Sequence, residues 1–413
     1  MFVIRILAAF LLLAAAPVAA AESEPAATEV VILGVDHSAQ LVNRRQQPAA
    51  MRAFFSSISP AAICIERAPE EFARRDHYEF TYEIQDVIVP WARETKTPLC
   101  PFDWLPAPED TELAFGIADL EAPPLLRKPS GFQGFLTFSD PQTRTDGLFF
   151  ADEEAERAKH RKFYLNYPDK PRGDFARRLF LYRTFLQARR IALAARKYPG
   201  ERLLVVVGMM HKDDLERILA DHRGIKIIQP SDIASEPGLA EITRHQRVED
   251  LFAIATFNLL GMQSRGEAVD LAWMEDVIDQ LQRQQPGAET RLLATRLAEI
   301  QGRMSPEQAL SAHLAIAGEA GERRFTWDGV KDRKRIDSYF DPFGNLTIAQ
   351  RARLEAARIY YLLGRDQEAE AIRSALRAEL STSLKQAQLD GYWPLYVMPP
   401  TKEAAESEGD RRS

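Results

Sequence analysis

The stretch that decides the fold is Glu201–Leu219, ERLLVVVGMMHKDDLERIL. Its unbroken aliphatic run, Leu203 to Val207, reads as a strand covered on both faces, the pattern of a central strand in a parallel sheet. Gly208 ends the run, and Leu215, Ile218 and Leu219 then restore a helical period. His211 thus falls between the carboxyl end of a strand and the body of a helix, at the edge where open α/β sheets bind ligands. The same phrase stands at Glu29–His37, EVVILGVDH, so the chain carries two strand-Gly-x-x-His units. One match is a weak signal, whereas two at the ends of aliphatic runs mark His37 and His211 as candidate site residues. The plainer alternative is that both histidines cap helices or bond within a loop.

Between the two units the pattern is that of crossovers and further strands. Gln47–Ile58 has Pro48 at a helix start and Met51, Phe54, Phe55 and Ile58 on one face. Ala61–Glu66, AAICIE, is a second strand that ends in a carboxylate, at the same topological level as His37 and His211. A charge directly after a buried strand must reach solvent, pair or bind something, and Arg67 is its nearest candidate partner. Pro69 to about Arg93 is expected to form one helix, kinked or shortened at Pro90, and Thr97–Phe102 a third strand. Residues 103–172 lose the period and are rich in proline, as an insertion or lid over the strand ends would be. Asp174–Lys197 reads as a long helix burying Leu179, Tyr182, Leu186 and Leu193, with Arg183, Arg189 and Arg190 as a solvated stripe unless one is recruited. Ile225–Gln229 is a fifth strand.

From Glu236 onward only helical periods remain, including a capping box at Ser305–Gln308 and one tetratricopeptide-like hairpin at Ala356–Leu376. The expected architecture is therefore α/β, a mostly parallel sheet flanked by helices (22–235), followed by an all-α domain (236–395) that could present a surface to a protein partner, and a polar tail. Met1–Ala21 has a single cation, an apolar run and Ala-rich cleavage sequence, as in a signal peptide; an uncleaved anchor is the alternative. The expected compartment is the periplasm, with no integral membrane segment in the mature chain. A net charge of -7 gives no basis for a nucleic-acid partner, and the Lys331–Arg335 run reads as a solvated face. The two cysteines, Cys64 and Cys100, fall near the ends of strands two and three; in an exported chain they can form a disulfide or remain free thiols.

The chemistry is carried by His37, Glu66 and His211. Two imidazoles and a carboxylate on strand ends can hold a divalent transition metal with open positions for water and a peptide, ester or other small substrate, and Asp36 is placed to fix a ligand histidine. GVDH at Gly34–His37, the strand ending in Glu66 and GMMH at Gly208–His211 together resemble the TraB/PrgY/GumN/TIKI superfamily, to which erythromycin esterase and ChaN-like haem-uptake proteins are distantly similar. Arg183, followed by Ala188, looks like that family's RNxxxA helix, with Thr184 in place of the usual asparagine. The resemblance implies a site of His37, Glu66, His211 and Arg183. It also implies two rivals to metal-dependent hydrolysis. One is a metal-free His/Glu esterase in which Arg183 stabilises the oxyanion. The other is a non-catalytic cleft for haem or a peptide, with Tyr164 and Tyr182 as iron ligands.

Overall fold

The computed structural model describes residues 26–116, 122–165, 171–266 and 268–398, apart from the side chains of 163–165 and 171–173. The candidate signal segment, the polar tail and the Tyr164 side chain lie outside the described residues.

All five strands expected from the sequence form one parallel sheet: β1 (Thr28–Val35), β2 (Ala62–Ile65), β3 (Leu99–Pro101), β4 (Arg202–Gly208) and β5 (Ile225–Ile228), in the order β3-β2-β4-β1-β5. Alternation along each strand sends side chains to two buried faces. Val31, Leu33, Ile63, Ile65, Leu204 and Val206 face one way, onto Met51, Phe54 and Phe55 of the Pro48–Ile58 helix. Val30, Ile32, Cys64, Leu203, Val205 and Val207 face the other way, onto Ala188 and Ile191 of the Pro171–Ala195 helix and Leu215 and Leu219 of the Met209–Ala220 helix. Burial on both sides explains why these strands read as continuous aliphatic runs instead of alternating ones.

Cys64 and Cys100 sit opposite each other in the β2–β3 register and are joined by a disulfide, their Cα atoms 4.3 Å apart. On the chain-entropy model a bridge closing a loop of this length stabilises by about 3–4 kcal/mol.

The C-terminal region is helical, from Leu239–His245 to Ser383–Tyr396, with the Ser305 capping box in place and Gly364 at φ 70 turning the Ile348–Leu362 helix into the Asp366–Glu379 helix. It does not stand apart. Leu251, Phe252, Leu292 and Leu293 share one continuous core with β1, β2 and β4. The 103–172 stretch straps the layers together: Phe135 packs on Tyr392 and Tyr396, and Phe138 on Phe257. Among the described residues, no helix is long and apolar enough to cross a membrane.

Three local expectations are corrected. The single helix over Pro69–Arg93 is instead a short helix, Pro69–Ala73, an irregular segment with Arg75 at φ 60, a π-helical turn at Glu83–Ile88 and a helix at Val89–Thr95. The wider π turn accommodates Pro90, which has no N–H to give to an α-helical ladder. In the Pro171–Ala195 helix, Tyr182 and Leu193 are exposed, and the buried face carries Thr184 and Gln187 as well as apolar residues. Arg335 is buried and paired with Asp337 at 2.7 Å, so the basic run at 331–335 is not solvated throughout.

Candidate active site

The order β3-β2-β4-β1 places four polar residues in a row along one sheet edge: Asp103 two residues beyond β3, Glu66 after β2, His211 in the first turn after β4 and His37 after β1. Parallel strands with register-matched ends bring the two Gly-x-x-His units and the carboxylate together without any loop having to reach.

Glu66 is the centre. Its Oε2 accepts the Gly208 backbone N–H at 2.6 Å and its Oε1 accepts Arg183 Nη2 at 2.9 Å. An imidazole stands on each side, with His37 Nε2 3.6 Å from Oε2 and His211 Nε2 3.4 Å from Oε1. Burial alone would raise the Glu66 carboxyl; His211, Arg183 and His37 reverse that and hold it well below the usual range.

The two imidazoles are anchored differently, each through Nδ1. His37 Nδ1 meets Glu83 Oε1 at 2.7 Å, and Glu83 Oε2 accepts the Ser38 N–H at 3.1 Å. Ser38 holds a left-handed backbone, φ 62, which costs a non-glycine residue about 1–2 kcal/mol and aims that N–H at the same carboxylate. Burial opposes charge on His37, but Glu83, with Glu66 and Asp36, pushes its pKa up to about 9. The ring is an imidazolium at neutral pH, and with 24% of its side chain exposed it is the open side of the site.

His211 has no carboxylate behind it. Thr184 Oγ1 lies 2.7 Å from its Nδ1 and 3.0 Å from the Phe180 carbonyl, and Glu66 Oε1 lies 3.4 Å from its Nε2. With the hydroxyl donating to that carbonyl, Nδ1 carries the proton and Nε2 is left as the acceptor of the neutral ring. Phe180 stacks on the imidazole with centroids 4.2 Å apart. Burial lowers the His211 pKa and Arg183 lowers it further, against the pull of Glu66.

Arg183 joins Glu66 to a second carboxylate. Its Nε and Nη2 hold Asp103 in a fork at 2.9 and 2.7 Å. Asp103 also accepts from Gln187 at 2.7 Å and from the Tyr78 hydroxyl at 2.5 Å, with Arg67 over the Tyr78 ring at 3.9 Å. The alternative in which Glu66 pairs with Arg67 does not hold; Arg67 turns instead to Glu71 and Asp76.

Both motif glycines are there for space. A Cβ on Gly208 would lie 2.8 Å from His37 Nε2, and one on Gly34 would lie 2.7 Å from the Ala151 Cβ and 3.3 Å from the Met209 Cα. Gly208 makes room for the His37 imidazole, and Gly34 for Ala151 and the Met209 backbone.

The structure brings His37, Glu66, His211 and Arg183 together. Asp36 is beside His37 in the chain, its pKa raised by burial to about 6, but the carboxylate on His37 Nδ1 is that of Glu83. Tyr182 is turned outward onto Trp104, ring centroids 5.4 Å apart. The sequence pattern does not single out Asp103, Glu83, Gln187 or Tyr78, and it marks Thr184 only as a substitute within the RNxxxA-like helix. Asp103 obeys the rule that marks Glu66, a carboxylate just past a strand, whereas Glu83 comes from an irregular segment with no readable period.

Among the described residues, no group of three or more His, Cys, Asp and Glu side chains is arranged to hold a metal ion. Each Glu66 oxygen accepts one hydrogen bond, from the Gly208 backbone N–H and from the Arg183 guanidinium. No protein-family model, no curated protein and no solved structure matches this chain. The likeness to the TraB/PrgY/GumN/TIKI superfamily thus rests on the motif residues alone.

Proposed function

We propose that the chain is an exported hydrolase of esters or amides that works by acid–base chemistry between two unlike histidines. The observation that carries this reading is one clamped carboxylate, Glu66, with an imidazole on each side, one backed by Glu83 and the other by Thr184. Environments that push two titratable groups apart assign the acid and the base. His211, neutral with Nε2 as its acceptor, takes the proton of the attacking water. Water's oxygen adds to the carbonyl carbon, and His37, charged and solvent-facing, hydrogen-bonds the resulting oxyanion through Nε2–H. As the intermediate collapses and the C–O or C–N bond breaks, the leaving group takes the proton that His211 accepted. Arg183 adds its field, and its Nη1 makes no hydrogen bond within the chain among the described residues. Glu66 keeps both imidazoles oriented and compensates the charge His211 gains. A disulfide within the sheet is in keeping with an oxidising compartment.

The test is turnover of a panel of chromogenic esters and peptides by the full chain, with and without chelator. Turnover unchanged by chelation and lost in His211→Ala supports the reading. Turnover that disappears on chelation and returns with a divalent metal would replace it with the metal-dependent mechanism, and a Soret band in the purified protein would replace it with haem binding.

A further inference from the structure

A second cavity, of about 300 Å³, lies among the C-terminal helices and shares no residue with the site above. That volume is at the small end of small-molecule pockets. Its wall holds the guanidinium groups of Arg265, Arg296, Arg351 and Arg358. Three carboxylates answer them. Asp341 takes Arg351 at 2.6 Å, Glu355 takes Arg351 and Arg358 at 3.0 Å each, and Glu299 takes Arg296 at 2.7 Å and Arg358 at 2.5 Å. His313 also sits on Glu299, so that carboxylate has no capacity to spare.

Arg265 is left over. It bonds to the Tyr396 carbonyl and lies over the Tyr396 ring at 4.8 Å, but has no carboxylate partner among the described residues. Arg296 Nε is buried with no hydrogen bond, and Glu355 Oε2 lies 3.6 Å from it. Burial pulls the Arg296 guanidinium below its ordinary value, and Arg358 adds repulsion to what Glu355 offsets. Guanidinium groups that line one cavity with bonding capacity left over suit a charge-assisted contact from an added anion. Met262, Leu354, Leu362 and Val397 give the wall an apolar part.

We propose that this cavity binds a small organic monocarboxylate, its carboxylate between Arg265 and Arg296 and its apolar body against the aliphatic wall. The charge balance selects the class. One cation in excess matches one negative charge, whereas a phosphate monoester brings about −1.5 to −2 at neutral pH. A bare inorganic anion would leave the aliphatic wall uncovered. The proposal does not rest on the hydrolase reading.

The experiment is titration calorimetry and thermal shift on the full chain with octanoate, octanol and inorganic phosphate as probes. Octanoate is expected to bind with unit stoichiometry and raise Tm, octanol and phosphate to bind far more weakly. Arg265→Ala, at a solvent-exposed rim position, should weaken octanoate by about 10- to 100-fold, the range expected for one lost charge-assisted contact. Arg265→Lys should lose less, and the ligand-free Tm of both variants should fall by no more than a few degrees, as loss of the Tyr396 contacts allows. Octanol or phosphate binding as tightly as octanoate, or octanoate binding unchanged in Arg265→Ala, would overturn the assignment.

Discussion

The two Gly-x-x-His turns are written alike and set in opposite surroundings. His37 is backed by a carboxylate and open to solvent; His211 is backed by a hydroxyl and covered by Phe180. The motif places an imidazole at a strand end, and the residue behind Nδ1 decides what that imidazole does. Neither Glu83 nor Thr184 belongs to the motif, so the chemistry is assigned by segments outside it.

The largest effect that tests this contrast is loss of either ring. His37→Ala and His211→Ala should each lower kcat by about 10²–10⁴-fold, the usual worth of a positioned acid or base, with Tm within a few degrees of the parent. A variant that turns over like the parent would remove its histidine from the mechanism.

Next in size is a comparison of the glycines. Gly208→Ala drives a methyl at His37 Nε2, a side chain that can swing away, so turnover should collapse while the fold persists. Gly34→Ala meets the Ala151 Cβ and the backbone at Met209 instead, and should cost about 1–3 kcal/mol of stability, read from denaturant unfolding. Equal stability losses in the two variants would show that both positions are packing alone.

The third test moves a pH limb. The rate should fall as pH rises through about 9, where His37 loses its proton, and on the acid side as His211 gains one. In Glu83→Gln the alkaline limb should shift down toward about 6.5, the unperturbed histidine value, with the acid limb unmoved. Stability follows the same sign. His37 has a folded pKa above its unfolded one, so its contribution is complete below about pH 6.5 and is lost as pH rises through about 9. Glu66 is held below its unfolded value, so its contribution is present above about pH 4.3 and is lost as pH falls. Tm against pH for the parent and Glu83→Gln checks the first of these; an unshifted upper limb would separate Glu83 from His37.

The smallest effect belongs to Thr184→Val, which leaves the buried Nδ1 of His211 without a partner. The expected cost is about 1–3 kcal/mol, with the acid limb of the rate profile displaced and the alkaline limb in place.

What is legible in the sequence follows from how each feature is encoded. The sheet is readable because both its faces are buried, which leaves long aliphatic runs, and His37, Glu66 and His211 are readable because they end those runs. The Pro171–Ala195 helix is misread at Tyr182 and Leu193 because the face it turns inward carries Arg183, Thr184 and Gln187, so an apolar period points away from the functional face. Glu83 is illegible because a π turn breaks the helical spacing around it. The Cys64–Cys100 pairing needs only the strand order, which a sequence permits without dictating.

The unequal fit of the two glycines has a consequence for how such a chain can diverge. A side chain at position 208 runs into the imidazole of the other motif, whereas one at position 34 runs first into Ala151, outside both motifs, and then into the Met209 backbone. A change at 208 is therefore coupled to residues 34–37, while a change at 34 needs relief at 151 as well as at 209.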